Sequence, residues 1–170
     1  MMDKLALLEW LDQAGIGYEI VEHPVVETME ALNQVEQRYP GYQAKNLFVR
    51  DDKKQRYLLI TVMEDQTVDM KKLRRELETR RLSFASADDL AQILKLTPGS
   101  VTPFGLLNDQ EHRVEFVLDQ DYLAGEQVLG IHPNHNDATV WINTNDLLTL
   151  LDQHGTTIHV LDFDAVNSAE

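Results

Sequence analysis

The sequence predicts a mixed α/β fold in a single domain, with a largely antiparallel sheet and helices packed on it. Strand-like apolar runs follow one another with only turn residues between them, and helical patterns interrupt them at irregular intervals. Strands that are adjacent in sequence favour hairpins, whereas a doubly wound parallel sheet requires strands and helices to alternate regularly. The length of 170 residues and the hydrophobic content of 43% suit one compact core, so we assign residues 1–170 to one domain.

The first half of the chain contains three predicted helices and three predicted strands. Leucines at helical spacing follow Asp3, and Gly15 and Gly17 end that helix. A charged turn at Asp51–Lys54 joins the two strands of a hairpin, and Asp69 caps a basic helix. In chain order the elements are a helix after residue 3, a strand at 18–21, a helix at 29–38, strands at 45–50 and 56–63, and a helix at 70–80.

The second half combines short strands with two further helices. Ser86 and Thr144 are expected to cap these helices, and Gly155 ends the second one. The elements are a strand at 81–85, a helix at 88–96, strands at 113–118, 127–132 and 138–142, a helix at 145–155 and a strand at 157–161. We expect a turn or short helix at 121–125 and a frayed tail at 163–170.

Positive charge is concentrated in one part of this acidic chain. Twelve of the fifteen basic residues lie between Arg38 and Arg81 together with seven acids, so this stretch carries +5 and the remainder carries −19. Such a region can receive an anion, for example the end of a nucleic acid, but a solvated face has the same composition. The residues that we assign to phosphate contacts are Lys71, Lys72, Arg74, Arg75, Arg80 and Arg81.

The composition excludes several kinds of site and location. There are no cysteines, which rules out disulfides, thiolate metal sites and a thiol nucleophile. No apolar run approaches the length of a membrane span, and the N-terminal pattern lacks the basic start and cleavage site of a signal peptide. We therefore expect a cytoplasmic protein with no membrane partner.

An uncharged loop at 97–105 is the first candidate for chemistry. Two prolines restrict its backbone, and its two glycines permit a close approach, as at Gly99. The N–H groups of Ser100, Val101 and Thr102 are available in this interpretation to hold a carbonyl or a ribose. A plain helix-to-strand connector has the same composition, so that alternative stays open.

Lys45 is a lone cation at the start of an apolar strand. An ammonium there can hold a phosphate or stabilise a developing oxyanion, although a solvated strand end looks the same in sequence. The next residue, Asn46, should point to the opposite face of the strand. The two side chains would therefore not normally share a target.

The segment 130–139 suggests a metal site through His132, His135 and Asp137, but no second ligand-rich cluster supports it. We expect instead that one imidazole braces the loop or binds a substrate hydroxyl while the other is exposed, and we predict neither a metal nor a cofactor. A metal-dependent hydrolase is kept as an alternative that chelators would inhibit. Motifs for a serine nucleophile or a glycine-rich phosphate loop are absent, so water is the expected attacking group of any hydrolase here.

The chain resembles the free-standing prolyl-tRNA editing proteins of the YbaK/ProX superfamily in four consecutive segments: AKNLFVRD, RLSFAS, LTPGSVTPFGLLND and VLGIHPNHNDAT. The branch that removes alanine from mischarged proline tRNA is the most similar, and it is related to the insertion editing domain of bacterial prolyl-tRNA synthetases. The resemblance covers nearly the whole chain. It implies a mixed α/β domain with a strongly curved sheet and a hydrolysis that uses no metal.

The resemblance also implies roles for particular positions. Lys45 matches the family's essential lysine and Asn46 the adjacent residue that lines the site, so both are predicted to be catalytic. The predicted substrate-binding residues are Thr28, Gly99, Ser100, Val101, Thr102, Pro103, Gly130 and His132. We expect Lys45 and the loop to line one small cleft. The sequence departs from the family's uncharged pattern at His135 and Asp137, which leaves the preferred amino acid open.

The predicted function is hydrolysis of alanine from mischarged proline tRNA by water attack on the aminoacyl ester. The acceptor end of the aminoacylated tRNA is the expected partner, and prolyl-tRNA synthetase is a further one. A synthetase site built for proline excludes alanine poorly, since each missing methylene is worth only about 1–3 kcal/mol, and a second pocket too small for proline would correct the error. A deacylase for tRNA carrying Cys, Ser or Thr and a non-catalytic tRNA- or synthetase-binding module are the alternatives.

Overall fold

The computed structural model of the protein describes residues 2–25 and 38–170, which form eight strands and several helices. The strands are β1 Tyr18–Glu22, β2 Ala44–Asp51, β3 Tyr57–Met63, β4 Leu82–Phe84, β5 Val114–Asp119, β6 Val128–Ile131, β7 Ala138–Asn143 and β8 Ile158–Leu161. The α-helices are α1 Lys4–Gln13, α2 Met70–Glu76, α3 Ala87–Asp89, α4 Thr144–His154 and α5 Phe163–Ser168. A π-helical turn follows α3 at Leu90–Leu94, and 3₁₀ turns lie at Pro103–Asn108 and Gln120–Leu123.

The strands form a mixed sheet system that is largely antiparallel, as predicted. A three-stranded sheet has the order β1–β7–β6, and a five-stranded sheet has the order β4–β2–β3–β5–β8. The pairs β3–β5 and β5–β8 are parallel, and the other four pairs are antiparallel. A parallel bridge between Gln43 and Gly130 connects the two sheets, so the strand system continues from β6 to the start of β2.

One edge of β2 is open in its middle. At the start of the strand β6 approaches through the bridge at Gln43, and at its end β4 pairs with Val49 to Asp51. Ala85 N–H extends this second contact by donating to Phe48 O at 3.0 Å. Among the described residues, no strand pairs with this edge between the two contacts. An opening therefore separates β4 from β6 at the level of Asn46.

The two faces of β2 pack into different hydrophobic clusters because successive side chains alternate. Phe48 lies in the larger cluster together with apolar residues of α1, α4 and the π turn. Val49 lies in the smaller cluster with Leu73 of α2 and Phe163 of α5, and Leu47 packs against the same cluster. The strand therefore separates two distinct environments.

The structure corrects three local predictions. Residues 163–170 were expected to be frayed, but α5 forms there, since Asp162 accepts a hydrogen bond from Ala165 N–H and Phe163 is buried. The cap of α4 is the Asn143 side chain, whereas Thr144 donates its hydroxyl to a buried carbonyl. The helix predicted over 70–80 ends at residue 76.

Candidate active site

A recess of about 230 Å³ lies at the open edge of β2. It takes its walls from β2, from the segment that leaves β4, and from the loop before the first 3₁₀ turn. Its lining residues are Asn46, Leu47, Phe48, Phe84, Ala85, Ser86, Ala87, Leu90, Pro98, Gly99 and Val101. None of the described residues that line it is ionisable. The volume is below the 300–1,000 Å³ that is usual for drug-sized ligands, so the recess suits a small group.

Asn46 is the polar side chain that β2 contributes to this recess. Its Oδ1 accepts a hydrogen bond of 2.6 Å from the hydroxyl of Thr61, which is fully buried directly opposite on β3. This bond fixes the orientation of the carboxamide and leaves its NH₂ group as a donor. No described residue accepts a hydrogen bond from that group. The carboxamide can therefore donate to an oxygen in the recess.

The loop at 97–103 contributes Pro98, Gly99 and Val101 to the recess. Gly99 has a φ of +88°, a conformation that favours glycine, and it lines the recess with Val101. Ser100 points inward, is buried, and donates its N–H to Thr97 O at 3.0 Å. The Ser100 amide is therefore not available to a substrate in this structure, contrary to our expectation. No described acceptor is bonded to the Val101 N–H.

The end of the loop holds the segment that carries His132. Thr102 is fully buried and donates its hydroxyl to the backbone carbonyl of His132 at 2.6 Å, while Pro103 is buried in the following turn. His132 Nδ1 lies 2.9 Å from Ala138 O, so in the neutral ring Nδ1 carries the proton and Nε2 is an acceptor. Burial lowers the pKa of His132, which favours that neutral form.

The two histidines of the β6–β7 loop behave as one of the sequence interpretations proposed. His132 is buried and braces the loop through Ala138, whereas His135 is exposed and lies 3.2 Å from Asp137. Asp137 also forms an ion pair of 3.1 Å with Lys4. Across residues 2–25 and 38–170, no group of three His, Cys, Asp or Glu side chains is arranged to hold a metal ion.

Gly130 has a packing role in the structure. A Cβ at this position would lie 2.6 Å from the ring of Trp141, and the Gly130 carbonyl accepts a hydrogen bond from the Gln43 side chain at 3.1 Å. Gly130 and His132 therefore support the junction of the two sheets and do not line the recess. Thr28, the remaining predicted substrate contact, lies outside the described residues.

Lys45 and the loop do not converge as we expected. Lys45 lies on the face of β2 that packs into the smaller cluster, and its ammonium donates to the backbone carbonyl of Gln66. Asn46, on the opposite face, is the neighbour that reaches the loop. The alternation of side chains along an unbroken strand register explains the difference. The two residues lie on either side of the open edge.

The basic side chains divide into free and engaged groups. Lys71, Arg74 and Arg75 line a depression on α2, and Arg81 is exposed before β4. The other two candidates have protein partners: Lys72 Nζ donates to Asn167 O at 2.5 Å, and Arg80 forms an ion pair of 2.6 Å with Asp52. Lys72 also anchors the C-terminal helix.

Two polar contacts near the site were missed by sequence reasoning. Thr61 orients Asn46, and the predicted β2–β3 hairpin contains the information needed to place them opposite each other. His23 Nε2 lies 3.0 Å from the hydroxyl of Thr139, and its ring centre is 6.2 Å from that of His132. No local pattern indicates this second contact, because the residues are 116 positions apart.

Comparison with known proteins agrees with this architecture. Residues 23–150 match the model of the aminoacyl-tRNA editing domain family. The chain is 38% identical over 159 residues to the prolyl-tRNA editing protein ProX of Acetoanaerobium sticklandii, which covers 94% of this chain and 96% of that protein. It is 35% identical to the prolyl-tRNA synthetase associated domain-containing protein 1 of Bos taurus, with 95% of both chains covered.

Solved structures show the same fold. A candidate trans-editing enzyme for prolyl tRNA synthetase superposes with a TM-score of 0.64 at 20% identity, covering 95% of this chain and 98% of the other. A scaffold protein used for epitope grafting superposes with a TM-score of 0.71 at 21% identity, covering 96% of this chain and 97% of the other. No helix in the described part of the chain is long and apolar enough to cross a membrane. The chain thus belongs to the aminoacyl-tRNA editing domain family, and its activity is that of an aminoacyl-tRNA deacylase.

Proposed function

We propose that the protein removes alanine from mischarged proline tRNA. The observation that carries this proposal is the small, uncharged recess at the open edge of β2, with a donor from Asn46 on one side and the rigid loop on the other. The names of two relatives support the choice of tRNA, since one is a prolyl-tRNA editing protein and the other a prolyl-tRNA synthetase associated protein.

The alanyl group occupies the recess and the ester lies at its mouth. Water attacks the acyl carbonyl carbon, the bond to the ribose oxygen breaks, and the ribose oxygen takes up a proton as the free amino acid leaves. An aminoacyl ester is already activated, so positioned water and stabilisation of the oxyanion are sufficient. We assign the Asn46 carboxamide and the Val101 N–H as the donors that hold the carbonyl oxygen.

Lys45 supplies a positive charge on the face of β2 opposite to Asn46. In the free protein its ammonium binds the Gln66 carbonyl, a neutral acceptor that a substrate phosphate can replace. An ammonium on a flexible stem needs little geometry to make that exchange. The lysine then anchors the terminal nucleotide while Asn46, one residue along, faces the acyl group.

Specificity follows from the size of the recess. Proline carries two more carbons than alanine, and they must fit between Leu90, Val101 and Phe48, which are held by the larger cluster. Close-packed walls cannot expand without strain, and inserting extra methylene groups between them costs about 1–3 kcal/mol. The correct product, prolyl-tRNA, is therefore spared.

The tRNA and the synthetase are the proposed partners. The exposed cations Lys71, Arg74, Arg75 and Arg81 contact the phosphates of the acceptor stem. The helix α2, which carries the first three, packs Leu73 into the smaller cluster on the Lys45 side of β2. Association with prolyl-tRNA synthetase would deliver the substrate directly. We also propose a cytoplasmic location, and that residues 1–170 act as one domain.

A deacylation panel tests the proposal. Proline tRNA charged separately with alanine, cysteine, serine, threonine or proline is incubated with catalytic amounts of the protein, and the remaining ester is measured over time. We expect fast hydrolysis of the alanyl ester and little hydrolysis of the prolyl ester. A faster rate with cysteine, serine or threonine would assign the alternative substrate, and intact esters throughout would leave a binding module as the function.

A further inference from the structure

Phe84 is an aromatic ring that the proposed reaction has not used. It is 64% exposed, and no other Phe, Tyr or Trp in the described residues belongs to the exposed class. It also lines the mouth of the recess. Single exposed apolar side chains are normal on protein surfaces, so what points to a ligand contact is the position of this ring beside the recess.

The position of Phe84 relates it to Lys45. Phe84 pairs with Val49 across β2 and β4, so its side chain lies on the same face as Val49, Leu47 and Lys45. Along β2, Val49 is four residue steps from Lys45, which corresponds to about 13 Å at the usual rise of a strand. A cation and an aromatic ring therefore stand on one face, on either side of the opening at Asn46.

This arrangement matches the parts of a terminal nucleotide. If the acyl group enters the recess as proposed above, the ribose that carries it must lie at the opening. The phosphate and the base of that nucleotide then extend outside the recess. Lys45 is a site for the phosphate, and the exposed ring is a site for the base.

The surrounding charge fits a nucleic acid. The strand that carries Phe84 follows the exposed Arg81, and α2, with Lys71, Arg74 and Arg75, packs against that strand. Unpaired bases at the ends of RNA are commonly bound by stacking on aromatic side chains between basic groups. An apolar protein partner would not require these cations around the ring.

We infer that Phe84 is the stacking platform for the unpaired 3′-terminal base of the tRNA substrate. The inference rests on the proposed function, because it needs an aminoacyl-tRNA end at the recess. The ring binds the base through its face and holds the ester at the opening. It is a binding residue and takes no part in proton transfer.

Fluorescence of a modified tRNA tests the stacking directly. Uncharged proline tRNA with 2-aminopurine as its terminal base is titrated with the wild-type protein, Phe84→Tyr and Phe84→Leu. We expect quenching with the wild type and the tyrosine variant and its loss with leucine, which keeps the apolar bulk but has no ring to stack. Leu5→Ala is the matched control, since Leu5 is 67% exposed but lies on α1 outside the recess.

Hydrolysis of alanyl-tRNA under single-turnover conditions gives the second readout. Base–aromatic stacking is worth about 1–3 kcal/mol, so Phe84→Leu should weaken tRNA binding about 5- to 150-fold while Phe84→Tyr and Leu5→Ala stay near the wild type. Equal quenching and equal affinity in Phe84→Leu and the wild type would overturn the inference. So would a wild-type dimer that only Phe84→Leu dissociates, since the ring would then serve a second copy of the chain.

The two proposals fail in different ways. If the proposed function is wrong, the wild-type protein leaves alanyl-tRNA intact whatever stands at position 84. If only the stacking inference is wrong, the wild type hydrolyses alanyl-tRNA and Phe84→Leu does so with the same affinity.

Discussion

Lys45 and Asn46 are adjacent in sequence, but their side chains lie on opposite faces of β2. The two faces differ in charge and in the residues that surround them. On one face, Asn46 is oriented by Thr61 and lines an uncharged recess together with Phe48 and Leu90 of the larger hydrophobic cluster. On the other, Lys45 shares its side with the exposed ring of Phe84 and the basic helix α2. In the proposed function, this one strand with an open edge therefore presents a selective pocket and a charged docking surface to the same ligand.

This difference suggests that the two faces of β2 perform separate tasks. An editing enzyme must hold the tRNA regardless of its amino acid and choose among amino acids by size. Charge and stacking perform the first task over a wide surface, and close packing performs the second in a small volume. Substitutions on the two faces should therefore have different kinetic signatures.

Lys45→Ala should have the largest effect. Removing the ammonium takes away the charge proposed to anchor the terminal nucleotide, so kcat/KM for alanyl-tRNA should fall about 100-fold or more. Thermal unfolding should be unchanged, because the side chain is only partly buried. Lys53→Ala, an exposed lysine in the β2–β3 turn, is the control and should hydrolyse normally. Activity within twofold of the wild type in Lys45→Ala would remove the lysine from the mechanism.

Thr61→Val tests how the selective face is ordered. The substitution keeps the shape of the side chain but leaves the Asn46 carbonyl without its donor, at a cost of about 1–3 kcal/mol. We expect kcat/KM to fall about tenfold, a loss of about 1.4 kcal/mol of transition-state stabilisation, with tRNA affinity retained. Thr61→Ser keeps the hydroxyl and should restore most of the rate. If Thr61→Ser is as slow as Thr61→Val, the loss of rate comes from altered packing and not from the lost hydrogen bond.

The charged face can be weakened without touching the recess. Replacing Lys71, Arg74 and Arg75 together by alanine should reduce tRNA affinity and lower the slope of log affinity against log salt by about 0.7–0.9 for each phosphate that is no longer neutralised. The rate at saturating tRNA should not change. If the slope of log affinity against log salt does not change, the three cations of this depression do not contact the tRNA phosphates. Lys53→Ala again provides a charge control.

Substitution of Glu115 should have the smallest effect on activity, because this residue lies away from both functional faces. Its carboxylate bonds Arg56 at 2.8 Å and His159 at 2.9 Å. Burial tends to raise the Glu115 pKa, but these two partners lower it overall. Since the folded pKa lies below the unfolded one, this stability is present above the unfolded value, about 4.3, and is lost as pH falls through the folded value.

Glu115→Gln should accordingly lower stability at pH 7 by about 1 kcal/mol and flatten its decline in acid, with hydrolysis at pH 7 unchanged. Urea unfolding between pH 3 and 7 measures both quantities. If the wild type and the variant lose stability in parallel as pH falls, the ion pairs do not contribute as described.

Much of the fold was predictable from sequence because its strongest signals are local. Alternation and turn residues predicted the β2–β3 hairpin, and the same alternation predicted that Lys45 and Asn46 diverge. The expectation that Lys45 and the loop share a cleft came from the family resemblance, which identifies important positions but not the faces on which they lie. In the structure, Lys45 and Asn46 lie on opposite faces of β2, as the alternation predicted.

The rest depended on contacts between distant parts of the chain. Lys72 is engaged by Asn167, 95 positions away, and that contact and the burial of Phe163 order a tail that looked frayed. Likewise, a loop's composition shows that it is stiff but not which of its amides are already bonded, as Ser100 is to Thr97. Such details require the folded chain.

The ratio of kcat/KM for alanyl- and prolyl-charged proline tRNA tests the division between the two faces most directly. Val101→Ala enlarges the recess, and the triple alanine variant of α2 weakens only the docking surface. We predict that Val101→Ala lowers the ratio by admitting proline, whereas the α2 variant slows both substrates equally and leaves the ratio unchanged. A ratio that shifts with the α2 variant but not with Val101→Ala would contradict the account.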